Sequence, residues 1–194
     1  MQFSSRRRGW LVPRSCVERA DPEIKCVNVP AGISAAVASK SFRTYPIQMF
    51  EPLTFGEFTL IAVPAADGFN ETQVSWIVTA RGKRIIHGGD TMWHGGFWQL
   101  GNSYGPFDAA FLPINGAKLK SVEPFSDIEA TMTPKQAVAA AIVLRARTLV
   151  PIHYGFNDPE SYLEHPNAVA EFEESAHSRQ QAYRLMKPGE TIEL

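Results

Sequence analysis

The segment IIHGGDTMWHG, residues 85–95, is the most informative stretch of this chain. Two β-branched residues, Ile85 and Ile86, run into a histidine and a pair of glycines, and an aspartate comes next. β-Branched residues favour strands, and glycines interrupt them. The segment therefore predicts a strand that stops near His87 and hands Asp90 to a loop. Two other places repeat that design. VPAADG (63–68) puts Asp67 just beyond a strand ending at Val63, and LVPIHYG (149–155) puts His153 at the exit of a strand from Leu149 to Ile152. Rigid strands present side chains at their exits to clefts. Carboxylates and imidazoles offered in this way are the donor types that zinc, iron and manganese accept. Taken singly, each residue also has a plainer reading: Asp90 before Thr91 caps a turn, and His153 is a core histidine bonded to backbone.

On either side of this segment the chain alternates strand and helix signals. Phe58, Leu60 and Ala62 interleave with Thr59, Ile61 and Val63, a strand buried on both faces and stopped by Pro64. Val74–Thr79 is a second strand, Arg81-Gly82-Lys83 a turn, and Ile85-Ile86 the start of a third strand, which makes a meander. From His87 to Gly105 six glycines (88, 89, 95, 96, 101 and 105) alternate with Trp93, Phe97 and Trp98, which reads as a glycine-rich loop. Ala109–Leu112 is a short buried strand ending at Pro113. Thr133 and Pro134 open a helix as N-cap and first-turn proline, and the alanine-rich run reaches Arg147, with Arg145 and Arg147 placed at its C-terminal dipole. A further helix spans about Asn167 to His177. Tyr183–Leu185 and Thr191–Glu193 flank Lys187-Pro188-Gly189 as a terminal hairpin. Upstream, Ile24–Val29 reads as a strand closed by Pro30, and Gly32–Phe42 as a helix. Residues 1–26 carry no sustained pattern.

IIHGGDTMWHG, VPAADG and LVPIHYG, with GPFDAAFLPING (105–116) and MTPKQAVAAA (132–141) lying between Asp90 and His153, resemble the C-terminal motifs of the metallo-β-lactamase superfamily. The resemblance runs from roughly Val27 to the end and is most specific around Asp90. It implies an α/β fold, a partial αββα metallo-β-lactamase sandwich in a single domain over residues 27–194. It also implies a metal-dependent hydrolase acting on a small-molecule substrate. In that family an aspartate in a Gly-Asp-Thr segment bridges two metals, here Asp90 in Gly89-Asp90-Thr91, and a histidine at a later strand end binds the second metal, here His153. Asp67 stands where the family places a further histidine. The cofactor implied is a divalent metal, zinc before iron or manganese. Such a metal lowers the pKa of bound water to about 7 and so provides hydroxide at neutral pH. Asp90 is the catalytic candidate, and His94 and Tyr154 are the candidates for contacting substrate. His94 reads equally as a surface-loop histidine, and His87 as core or as support behind the ligands. Trp93, Phe97 and Trp98 line a pocket or pack a loop on the sheet.

The family's His-x-His-x-Asp-His signature is absent, since no histidine precedes His87. A zinc site needs about three protein ligands, so the chain as written is expected to bind metal weakly and turn over slowly. An N-terminally shortened hydrolase is the preferred reading, with a non-catalytic binding or scaffold protein of the same fold as the alternative. The glycines at 88–96 do not match a P-loop or a dinucleotide fingerprint.

Composition sets the remaining bounds. The 194 residues are enough for one domain, with 44% hydrophobic and 20% charged residues and a net charge of -1, so no overall field draws in nucleic acid. Arg6-Arg7-Arg8 reads as a solvated end. Cys16 and Cys26 form no framework and read as reduced thiols of a cytoplasmic protein. No apolar run reaches the length of a membrane span. Sheet edges left open would invite self-association, so a homo-oligomer is also expected.

Overall fold

The computed structural model describes residues 27–30, 44–67, 73–156 and 158–194. The helix expected over 32–42 and the unpatterned segment 1–26 lie outside the described residues. Ten strands and three helices are described. The strands are β1 (Val27–Pro30), β2 (Thr44–Ile47), β3 (Pro52–Phe55), β4 (Phe58–Ala65), β5 (Gln73–Ala80), β6 (Lys83–His87), β7 (Phe107–Pro113), β8 (Lys118–Leu119), β9 (Ala146–Ile152) and β10 (Tyr162–Leu163). The helices are α1 (Gly96–Tyr104), α2 (Pro134–Val143) and α3 (Ala168–Ser178).

Six strands form the main sheet in the order β3-β4-β5-β6-β7-β9. The first four pair antiparallel in chain order; β6, β7 and β9 pair parallel, which requires crossovers, and α1 and α2 provide them. Arg81 and Gly82 between β5 and β6 both take positive φ, 49° and 76°, as a two-residue hairpin with matched twist demands. Strand directions come from parity. β4 is antiparallel to β5, and β5 to β6, so β4, β6, β7 and β9 all end at the same edge of the sheet. That edge receives the residues after Ala65, His87, Pro113 and Ile152. The pairs β1–β2 (parallel) and β8–β10 (antiparallel) stand apart from this sheet.

The core gathers Val63, Ile77 and Ile86 from the meander, Phe107, Leu112 and Leu149 from the parallel strands, and Phe97, Leu100, Val138 and Phe172 from the helices. α2 lies against β7 and β9 with α1 and α3 beside it. Its buried Ala137, Ala140 and Ala141 let those neighbours come close. Thr133 caps it as expected: its hydroxyl accepts from Gln136 N and the Gln136 side chain answers at Thr133 N.

Several expectations give way to the structure. Pro64 does not stop β4, which runs on to Ala65 with Pro64 opposite Val74; a proline needs only a position where no ladder donor is required. The glycine-rich loop contains a helix, α1, because Phe97 and Leu100 bury on one side of it and outweigh the glycines' poor propensity. α2 ends at Val143, and Arg145 turns the chain at φ 57° while Arg147 already belongs to β9. The Arg145 guanidinium serves a different helix end, donating to Gly101 O (2.5 Å) and Gly105 O (2.9 Å) at the close of α1. The terminal hairpin does not form; Tyr183 instead bridges to Leu149, laying the tail along β9.

Candidate metal centre

Asp90 reaches the C-terminal edge of the sheet on a loop that is tied down on three sides. Gly88 N donates to Phe111 O of β7 (2.8 Å), and Ser75 of β5 donates its hydroxyl to Gly88 O (3.0 Å). A Cβ at Gly88 would sit 3.0 Å from Leu112 Cδ2 and 3.3 Å from Phe111 O, so the close approach favours glycine. Gly89 then turns the chain at φ 66°. Thr91 is buried and its hydroxyl accepts from Ala66 N (3.1 Å), while Met92 N donates to Ala66 O (2.7 Å). These bonds lash the loop after β6 to the loop after β4. Asp90 itself keeps a side chain 45% exposed.

His153 arrives from β9 with φ 54°, a left-handed conformation that non-glycine residues adopt at a cost of about 1–3 kcal/mol. The chain just beyond it is braced: Gly155 N donates to Glu164 Oε1 (2.9 Å). The result is that His153 Nδ1 and Asp90 Oδ1, 63 positions apart in sequence, meet directly. His87 belongs to the same neighbourhood. Its ring stacks on Phe111 (5.9 Å between centroids, 16°) and its Nδ1 accepts from Gly89 N (3.2 Å). Its pKa is lowered, first by burial of the ring, then by His153, while Asp90 pulls the other way. The residue as a whole is exposed, and it is the flanking of the ring that disfavours charge.

The other candidates are placed differently. The Asp67 carboxylate, half-buried, accepts from Gln73 Nε2 (2.8 Å). Its neighbour Ala66 is bonded to Thr91 and Met92, so the two loops adjoin. His94 stacks on Phe97 (4.3 Å, 22°) and its Nδ1 accepts from Gly96 N (3.2 Å), at the start of α1; its Nε2 is buried without a partner and burial lowers its pKa. Trp93 packs edge-on to Trp98 (5.2 Å, 89°) and against the core. Tyr154 packs against the core, and its hydroxyl pKa is raised by burial and then by Glu190 of the C-terminal tail. Sequence reasoning passed over Tyr162. It is buried, its hydroxyl donates to Phe156 O, and Asp90 is among the carboxylates that raise its pKa after burial. No local motif marks it; only the fold brings β10 near Asp90.

This type of site implies a divalent metal, and the donors must be weighed against one. Asp90 and His153 are of the right chemical types and share one space. Yet among the described residues no three of His, Cys, Asp and Glu gather as a metal would require. His87 Nδ1 is taken by backbone and Asp67 by Gln73. Two donors fall short of the usual three or more, so the described residues do not fit a complete site.

The family model of the beta-lactamase superfamily domain matches residues 8–154. The chain belongs to the metallo-β-lactamase superfamily. A UPF0173 metal-dependent hydrolase of Thermococcus kodakarensis is 30% identical over 156 residues, which is 75% of this chain and 59% of the relative. The chain thus spans rather more than half the length of that curated relative. Among solved structures, an isothiocyanate hydrolase from Delia radicum gut bacteria superposes with a TM-score of 0.71 at 18% identity, over 95% of this chain and 72% of that one. Igni18, a metallo hydrolase of Ignicoccus hospitalis, gives 0.65 at 24% identity over 85% and 66%. Both likenesses are of fold. No helix among the described residues is long and apolar enough to cross a membrane.

Proposed function

We infer that this chain is a metal-dependent hydrolase of small-molecule substrates, in which Asp90 and His153 are the donor pair it contributes to the metal centre. The observation that carries the reading is the direct meeting of Asp90 Oδ1 and His153 Nδ1 at the edge where β6 and β9 end. Independent support comes from the relatives named metal-dependent hydrolases. Asp67 is the third candidate donor: it lies beside the backbone bonds that join its loop to that of Asp90, and a turn away from Gln73 would offer its carboxylate to the centre. Zinc suits a carboxylate–imidazole pair best, with iron and manganese next.

The chain's own residues carry definite tasks in this reading. Asp90 is catalytic, held by the bonded backbone at Gly88 and Thr91. His153 is oriented by the left-handed turn and the Glu164 brace. His94, whose buried ring nitrogen has no hydrogen-bond partner beside Phe97 and the Trp93–Trp98 cluster, is the candidate to contact substrate once that cluster moves aside. The Tyr154 hydroxyl stays protonated and so keeps a proton to donate. The two-donor count supports weak metal affinity and slow turnover for the chain as written. A fold retained for binding without chemistry is the second reading, favoured by the same shortage of donors among the described residues.

The test is a hydrolysis panel of lactones, esters, amides and phosphodiesters with zinc, iron or manganese supplied. Turnover that depends on added metal and falls at least about 100-fold in Asp90→Asn and His153→Ala supports the hydrolase. Turnover unchanged in both variants would refute the assignment of the pair. Absence of turnover across the panel, with metal bound, would favour the binding protein.

A further inference from the structure

At the opposite ends of the same strands lies a cleft of about 330 Å³ bordered by Thr79, Lys83, Arg84, Pro106, Asp108 and Arg147. Lys83 opens β6, Asp108 is the second residue of β7 and Arg147 the second of β9. From Lys83 to His87 is four strand steps, roughly 13 Å, and from Arg147 to His153 six steps, roughly 20 Å, at about 3.3 Å each. The cleft is therefore separate from the Asp90–His153 pair.

Its charge is unbalanced. Three cationic side chains face one carboxylate, and that carboxylate is already satisfied. Asp108 Oδ2 accepts from Arg84 N (2.8 Å) and Oδ1 from Arg147 Nη1 (3.1 Å). The Asp108 side chain is only 14% exposed, so it is a fixed post in the wall. Lys83 Nζ stands 3.7 Å from Oδ1, close enough for attraction and too far for a hydrogen bond. Neutralising Asp108 needs one cation; Lys83 is surplus to that need. The Arg84 guanidinium commits two of its five donors, to Tyr104 O and Thr79 Oγ1, which turn it into the wall, and it adds charge to the cleft. Arg147 commits one donor of its five, and its side chain is 68% exposed.

We propose that this cleft binds a small phosphate-bearing molecule, with the Lys83 ammonium and the uncommitted edge of the Arg147 guanidinium as its ligands and Asp108 as the post that holds them together. Arg147 is bonded to Asp108 Oδ1 and Lys83 is held near the same oxygen by charge, so the two cationic heads already stand close enough for one anion to bridge them. A planar guanidinium beside a point ammonium suits the several oxygens of a phosphoryl group. The volume lies at the small end of ligand pockets, which favours a compact ligand. The site is independent of the hydrolase reading and can fail without harming it.

Titration calorimetry of the full chain with pyrophosphate, with acetate as the carboxylate control, tests the proposal at near-physiological salt. We expect saturable binding of one pyrophosphate per chain, with acetate much weaker. Affinity should fall at least about tenfold in the Lys83→Ala/Arg147→Ala double variant, each deletion removing a charge-assisted contact. It should stay unchanged in Asp90→Asn. Both replaced side chains are largely exposed, and the single Lys83→Ala variant, which leaves every Asp108 hydrogen bond intact, should show an intermediate loss if the double variant folds poorly. No saturable heat would overturn the proposal. So would binding that survives loss of Lys83 and Arg147, or binding lost on Asp90→Asn.

Discussion

At the C-terminal ends of β6, β7 and β9, backbone bonds and a left-handed residue bring the Asp90 and His153 side chains together. At the N-terminal ends of the same strands the chain also turns through left-handed residues, Arg81 and Gly82 before β6 and Arg145 before β9, but there side-chain charge does the joining. In the first region Gly88, Gly89 and Thr91 fix a loop so that Asp90 can remain half-exposed, and His153 holds φ 54°. In the second, Asp108 collects Arg147, Lys83 and the Arg84 amide, while Gly101 and Gly105 let α1 close against the end of α2. Both ends of one parallel strand set thus carry left-handed residues; what differs is whether backbone bonds or side-chain charge hold the neighbouring groups in place.

The largest effect should come from disturbing the packed end. A Cβ at Gly101 would lie 2.1 Å from Val143 O, a backbone atom that cannot step aside. Gly101→Ala should therefore cost at least about 3 kcal/mol in urea unfolding. A loss under about 1 kcal/mol would mean that α1 and α2 are not locked there, and the contrast between the two ends would blur.

A smaller effect is expected behind the Asp90–His153 edge. His165 Nε2 bonds Glu171 Oε2 (2.8 Å), and His165 N donates to Asn115 O in the loop after β7. That side-chain hydrogen bond, ahead of the opposing effect of burial, holds the Glu171 carboxyl below its usual value, with His165 and Lys135 charges helping. A carboxyl lowered in the folded state stabilises above its unfolded pKa, and the stabilisation disappears as pH falls through the folded value. Glu171→Gln should cost about 1 kcal/mol at pH 7, and the gap from the parent protein should close as pH falls below the ordinary carboxylate range in melting experiments. A gap that persists in acid would point to packing instead of charge.

The smallest effect, that of His153→Asn, tests the left-handed turn itself against a larger β-branched control. Asparagine tolerates φ near 54°, so His153→Asn should leave stability within about 0.5 kcal/mol, whereas β-branched His153→Val should lose about 2 kcal/mol. Equal melting temperatures for the two would show that the turn relaxes freely.

Much of the sheet was legible because period and punctuation agree locally. The strands at 58–63, 74–79 and 149–152 and the Thr133 cap come from β-branched runs, turn residues and a capping box. The α1 helix was not legible, since four glycines between 95 and 105 signal loop and only the burial of Phe97 and Leu100 reverses that. The reach of the Arg145 guanidinium to α1 was invisible for the same reason: its partners are 40 and 44 residues away. At the candidate site, strand exits pointed to Asp90 and His153, and sheet parity explains why exits from β4, β6 and β9 share an edge. Parity does not fix side-chain direction, so neither the hold of Gln73 on Asp67 nor the arrival of Tyr162 could be read from spacing.

Asp90 and His153 meet directly, and no third His, Cys, Asp or Glu joins them among the described residues. Zinc titration of metal-free protein, read by calorimetry and by the imidazole NMR signals, probes that pair without any substrate. One weakly held ion per chain is predicted, with a dissociation constant no tighter than about 1 μM. It should perturb His153 and be lost in both Asp90→Ala and His153→Ala. Tight, near-stoichiometric zinc that survives either substitution would contradict the pairing.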